Sequence, residues 1–265
     1  MYLENPKKFG MLVEQAHQVA LNVLRPISRK YDKAEHAYPK ELDMLASLLD
    51  GMNEGAPGSA SATSATGGSS NSNAGEVKNG SNMSTALGIM EMCWGDVGLL
   101  LAMPRQGLGN AAIAAVANDE QLERFKGTWA AMAITEPNCG SDSAAIRTTA
   151  VKDGDDYILN GEKIYVTSGA RADSVVVWAT LDKNIGRAAI KSFVVKHGTP
   201  GMEIARLEKK LGIKASDTAA INFTDCRVPA ANLLGSPEID AHKGFAGVMQ
   251  TFDNTRPLVA AMAIG

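Results

Sequence analysis

Apolar residues recur along this chain at two different spacings. Between Pro6 and Leu49 the run Phe9, Leu12, Val13, Ala16, Val19, Ala20 and Val23 keeps helical spacing. Pro26 interrupts or ends that helix, because proline lacks an N–H and its ring crowds the preceding turn. Tyr38-Pro39 opens a second helix through Leu42, Leu45, Leu48 and Leu49, with proline near the first turn where the missing N–H is harmless. From Gly51 to Ser84 the large apolar residues all but vanish in favour of Gly, Ser, Ala, Asn and Thr. Such a stretch cannot bury enough surface to offset its ordering entropy, so a flexible low-complexity segment is expected. Met83 to Met103 is apolar and methionine-rich, with Trp94 and Leu99 to Leu101, and reads as a buried helix. A small-residue helix from Ala111 to Ala117 follows, then one opening on Asp119 with acids in its first turn.

After Gly127 the period shortens. Strands are predicted at Trp129–Thr135, Thr148–Lys152, Asp156–Leu159, Lys163–Thr167, Ser174–Thr180, Lys191–Lys196, Met202–Ala205 and Ala219–Thr224. Turns are predicted at Asp153-Gly154, Asn160-Gly161, Gly198 to Gly201 and Leu211-Gly212, and Asn160-Gly161 is the strongest hairpin signal. Strands this closely spaced imply an antiparallel barrel or sandwich. From about Ala241 the helical period returns through Phe245, Val248, Met249, Phe252, Val259, Met262 and Ile264. The chain thus reads as an α+β multidomain protein: an all-α part over 1–128 containing the 51–84 segment, a β-rich middle domain over 129–238, and a helix over 239–265.

Composition changes this picture little. The 26 Lys and Arg nearly balance the 29 Asp and Glu, and no block of like charge favours nucleic acid or an anionic membrane. No apolar run is long enough to span a bilayer, and the N-terminus is polar and then amphipathic, without a signal-peptide core. The 3 cysteines lie far apart without a Cys-x-x-Cys pair, which fits a reducing, cytoplasmic setting. His17 and His36 have no metal-spaced partners. Gly107-x-Gly109-x-x-Ala112 matches a loose dinucleotide pattern but does not sit between a strand and a helix of a βαβ unit, so a turn into a helix is the better reading.

The chemistry concentrates in Ala131 to Thr167. Gly140 allows close backbone approach and Ser141 can donate to a phosphate without adding charge. Tyr165, Val166 and Thr167 offer a flat ring and a hydroxyl on one strand, although such a tripeptide alone is ordinary strand composition. Thr-Glu-Pro-x-x-Gly-Ser-Asp at 135–142, Asn-Gly-x-Lys-x-Tyr-Val-Thr at 160–167, Gly-Ile-Lys-Ala-Ser-Asp-Thr at 212–218, Val228-Pro229 and Phe-Asp-Asn-Thr-Arg-Pro at 252–257 stand in this order. In these motifs the chain resembles the acyl-CoA dehydrogenase family, from Met83 to Gly265 and more weakly before.

The resemblance implies an all-α N-terminal domain, a β-barrel or sandwich middle domain, and the beginning of a C-terminal helical bundle. It implies FAD as cofactor, lined by Met132, Ile134, Thr135, Gly140, Ser141, Tyr165, Val166 and Thr167. It implies an acyl-CoA substrate, contacted by Ser141 and by Asp253, Asn254, Thr255 and Arg256, with Arg256 equally suited to a salt bridge. The reaction implied is α,β-dehydrogenation of the thioester in fatty-acid metabolism, with electron-transferring flavoprotein as electron acceptor and a homo- or hetero-oligomeric assembly. In one branch of the family the catalytic base sits beside the arginine of the first C-terminal-domain helix; that position is Thr255 here, and in the other branch the base lies in a region this chain lacks. No residue is therefore assigned as catalytic base, and a truncated copy of a full-length enzyme is expected, with a non-catalytic or half-site subunit of a hetero-oligomer as the alternative. An acyl-CoA oxidase or flavin monooxygenase on the same fold is the remaining alternative. Cys139 is expected to fill space.

Overall fold

A computed structural model describes residues 7–54, 81–105, 107–240 and 245–265. The chain forms two compact units. One comprises Met1–Met103, Lys210–Ser216 and Asn254–Gly265, and the other Pro104–Lys209 and Asp217–Asp253.

In the first unit, Pro26 does not end the helix. Helix α1 (Gly10–Val19) passes through a π turn at Ala20–Leu24 into α2 (Arg25–Lys33). The Arg25 N–H reaches back to the Ala20 carbonyl, and this widened turn makes room for the proline ring and its missing donor. Helix α3 covers Glu41–Glu54 and α4 covers Ser81–Leu101. Both therefore extend into the stretch expected to be flexible, whose residues 55–80 lie outside the described residues. Helix α4 breaks at Asp96 (φ −173°, ψ 116°). The Asp96 carboxylate restarts the helix, accepting the Leu99 N–H at 2.8 Å, and it also accepts the Ser28 hydroxyl. The methionine stripe is core: Ile89, Met92, Leu99, Leu100 and Met103 pack with Leu24, Tyr31, Leu42, Leu45 and Ala261. His17 bonds Glu91 at 2.8 Å and stacks on Trp94.

The second unit holds a seven-stranded mixed sheet: β1 (Ala130–Ala133), β2 (Thr149–Asp153), β3 (Asp156–Thr167), β4 (Ser174–Thr180), β5 (Ile190–Lys196), β6 (Met202–Leu207) and β7 (Thr218–Pro229). The pairings β2–β3, β3–β7, β6–β7 and β4–β5 are antiparallel, and a tight two-residue turn joins β2 to β3. The exception is β4, whose other edge is taken in parallel by β1 and, at Thr149–Thr180, by β2. Every residue of β4 is buried because both faces are covered. Val175, Val177 and Ala179 join Leu159, Phe193, Ile221 and Phe223 in one core. Val176 and Trp178 pack with Ala112, Ile113 and Val248 from α5 (Leu108–Val116) and α7 (Ala246–Ile264). Between α5 and β1, α6 (Asp119–Arg124) begins in a capping box between Asn118 and Gln121.

The glycines of the loose dinucleotide pattern have a packing role. A Cβ on Gly107 would lie 2.0 Å from the Ala130 carbonyl oxygen, and one on Gly109 would lie 2.2 Å from that of Ala131. They let α5 rest directly on the backbone of β1. The hairpin expected at Asn160-Gly161 is absent. These residues lie inside the single 12-residue strand β3, and the turn falls at Asp153 to Asp156. Gly161 (φ 154°) marks a bulge against β7, where a Cβ would sit 2.4 Å from Thr148 Oγ1. Asn160 stays in the sheet by accepting the Asp225 N–H at 2.8 Å.

Candidate functional site

The loop after β1 is held from beneath by a buried ion pair. Lys163, on β3, is fully buried, and its ammonium lies 2.8 Å from Glu136 Oε1 and donates to the Ile134 carbonyl at 3.0 Å. Glu136 also accepts the Thr148 N–H at 2.9 Å, the Thr148 hydroxyl at 2.6 Å and the Arg147 N–H at 2.7 Å. Burial opposes the carboxylate's charge, but Lys163 and these donors hold its pKa below the ordinary value. A charge this deep is tolerated only with such a full complement of partners. Cys139 fills the loop interior with its thiol 3.6 Å from Glu136, and burial with that neighbouring charge pushes the thiol pKa up.

The same clamp joins the two chemical motifs. Beside it, the Ile164 N–H donates to the Thr135 carbonyl at 2.9 Å. Thr135 thus stands next to the part of β3 where the strand bulges again between Lys163 and Val166. The residue pushed out is Tyr165, in the left-handed region (φ 58°) and 63% exposed. A bulky side chain in this conformation costs roughly 1–3 kcal/mol and persists only where its surroundings impose it. Beyond Thr167, Ser168 is again left-handed (φ 59°) and buried. The turn it begins closes on Asp217: the Ser168 N–H donates to the Asp217 carbonyl at 3.1 Å, the Ala170 N–H to its carboxylate at 2.9 Å, and Arg171 Nε lies 3.4 Å from Oδ1.

Met132, Thr135 and Thr167 are half-buried, and Gly140 and Ser141 are exposed at the tip of the clamped loop. The side chains of Ile134 and Val166 are buried in the two sheet cores. Asp253 ends the second unit's share of α7, while Asn254, Thr255 and Arg256 belong to the first unit; Thr255 is buried, and Asp253 and Arg256 are exposed. The arrangement of half-buried hydroxyls beside an exposed ring, under a clamped loop with a glycine tip, suits a flat, phosphate-bearing ligand. Sequence reading passed over Glu136, Lys163, Thr148, Asp217 and Arg171. The available signal was their place inside the motifs: Glu136 in Thr-Glu-Pro, Lys163 in Asn-Gly-x-Lys and Asp217 in Ala-Ser-Asp-Thr. Among the described residues no cluster of side chains could hold a metal ion, and no helix is long and apolar enough to cross a membrane.

Residues 131–226 match the model of the acyl-CoA dehydrogenase middle domain. The chain is 44% identical over 141 residues to acryloyl-CoA reductase (NADH) of Anaerotignum propionicum, covering 52% of this chain and 35% of that protein. It is 42% identical over 135 residues to the short-chain-specific acyl-CoA dehydrogenase of Clostridium acetobutylicum, covering 51% and 35%. The fold extends further than the sequence identity. Butyryl-CoA dehydrogenase from Megasphaera elsdenii superposes with a TM-score of 0.76 at 29% identity, and an acyl-CoA dehydrogenase from Geobacillus kaustophilus with 0.77 at 27%; each covers 99% of this chain and 66% of that chain. The matched region thus spans about a third of these curated relatives and about two thirds of these solved ones. Residues 131–226, which carry the Glu136–Lys163 clamp and the outturned Tyr165, are thus a stretch that matches the middle domain of the acyl-CoA dehydrogenase family.

Proposed function

We propose that this chain holds FAD for the α,β-dehydrogenation of an acyl-CoA thioester. The observation that carries the reading is Tyr165, an aromatic side chain kept exposed at positive φ next to Thr135 and Thr167. In this reading the Tyr165 ring packs on the isoalloxazine, Thr135 and Thr167 hydrogen-bond its polar edge, and the exposed Gly140-Ser141 tip serves the pyrophosphate. Met132, Ile134 and Val166 complete the lining, the last two through main-chain groups. Bound FAD supplies the acceptor for the hydride leaving the acyl β carbon. Ser141, Asp253, Asn254, Thr255 and Arg256 contact the acyl-CoA, with Arg256 fastening its polar groups by a fixed charge. The coenzyme A thioesters named for the relatives support this substrate class. Electron-transferring flavoprotein is the acceptor, and the active assembly is an oligomer in the cytoplasm.

Thr255 stands beside Arg256, and a buried hydroxyl is no base for an α proton at neutral pH. These 265 residues by themselves therefore hold flavin without turnover, and a base on residues outside them, in the same polypeptide or in another, completes the site. The test is to load the 265-residue chain with FAD, pass it through gel filtration and add an acyl-CoA. Retained flavin that stays yellow until a base-bearing partner is added supports the reading. Failure to retain FAD refutes the cofactor assignment, and bleaching by this chain alone refutes the missing base.

A further inference from the structure

Tyr165 and Thr167 are presented by a strand end that Asp217 holds from just beyond them. Strand β3 finishes at Thr167, paired with Thr218, and two left-handed positions flank that end, Tyr165 before it and Ser168 after it. Neither conformation is one that tyrosine or serine adopts freely, so something must impose it. From above, the bulge opposite Ile221 and Ala219 fixes the strand. From below, the carboxylate of Asp217, itself 1% exposed, accepts the Ala170 N–H and faces Arg171, while its own carbonyl accepts the Ser168 N–H. Gly169 is pressed between Ala219 and Val166, where a Cβ would lie 2.9 Å from either side chain, so the turn has no slack.

We propose that Asp217 is a positioning residue for the flavin site: its buried carboxylate grips the 168–171 turn and thereby sets the seat of Tyr165 and Thr167. This rests on the flavin-holding function proposed above. Asp217 lies beneath the turn and enters the chemistry only through the residues it holds. A carboxylate suits this place because it serves an amide N–H and a guanidinium together. Asparagine has nearly the same shape and keeps an acceptor for Ala170, but its amide cannot pair with Arg171.

The full chain with Asp217→Asn, and with Asp217→Ala as the harsher variant, tests this through two readouts. The first needs no flavin: amide hydrogen exchange at Ser168 to Arg171 is expected to quicken by roughly 10- to 100-fold, the fold-change for loss of a charge-assisted hydrogen bond, while Val175 to Val177 in β4 stay protected. The second is the bound flavin itself: about tenfold weaker FAD binding and a displaced visible absorption band in Asp217→Asn. Unchanged exchange overturns the proposal. So does altered exchange with an unchanged flavin spectrum and affinity, which would leave Asp217 purely structural. If the parent chain retains no FAD, the function proposed above fails with it, whereas a parent that binds beside an indifferent Asp217→Asn sinks only the present inference.

Discussion

Replacing Lys163 with methionine removes the ammonium from the buried clamp while filling nearly the same space. Two bonds go, to Glu136 and to the Ile134 carbonyl, and the carboxylate is left charged inside the protein. Breaking a buried pair from one side costs about 3–5 kcal/mol. Glu136 keeps the Thr148 N–H, the Thr148 hydroxyl and the Arg147 N–H, so the lower end, about 3 kcal/mol, is the better figure. For a unit of this size that lowers the melting temperature by roughly 6–12 °C. Adding Glu136→Gln neutralises the stranded charge and keeps an acceptor for the two Thr148 donors, while its amide nitrogen cannot accept the Arg147 N–H. The double variant should therefore lose less than Lys163→Met alone, roughly 1–2 kcal/mol. Urea unfolding of the parent, both single variants and the double variant closes the cycle. If Lys163→Met costs under about 1 kcal/mol, or the double variant loses the sum of the singles, the clamp is not the coupled unit described here.

Other consequences are as direct. Gly109→Ala forces a methyl onto the Ala130 and Ala131 carbonyls and Gly161→Ala one onto Thr148, so each should destabilise by roughly 1–3 kcal/mol in denaturant titrations, whereas Gly140→Ala, with open space around it, should leave unfolding nearly unchanged. Because the folded-state pKa of Glu136 is lowered, its stabilisation is present above the unfolded carboxylate value of about 4.3 and is lost as pH falls through the folded value; the Glu136→Gln variant should show a flatter loss of stability with acid over that window. Tyr165→Gly relieves a left-handed aromatic residue, so the flavin-free chain should be no less stable than the parent, while FAD binding measured by fluorescence quenching weakens about tenfold.

The two spacings of apolar residues made the helices and most strands legible, and β4 matches its predicted bounds, Ser174–Thr180. What misled were residues whose local preference is overruled by packing. Asn160-Gly161 has the chemistry of a tight turn, but β7 pairs on both sides of it and the glycine is needed to clear Thr148. Pro26 has the chemistry of a helix stop, but the π turn ahead of it absorbs the fault. The parallel placement of β1 on β4 has no signature in either strand alone, since it depends on which edge of β4 remains free. In the candidate site, Tyr165 and Thr167 stood out as chemistry. Glu136, Lys163 and Asp217 did not, because a buried charge shows its meaning only once its partners are known.

The pairing of β3 with β7 also governs the order of events during synthesis. Its register joins Asp156 to Pro229 and Thr167 to Thr218, so the strand that carries Tyr165 leaves the ribosome well before the strand that completes it. In that interval one edge of β3 waits unpaired, the kind of edge on which foreign strands add. The bulges at Gly161 and Tyr165 break the edge into short runs that no straight strand can match along its length. The irregularity that turns the tyrosine outward thus also fixes the single register in which β7 can close this edge, since a slipped pairing would misplace both bulges.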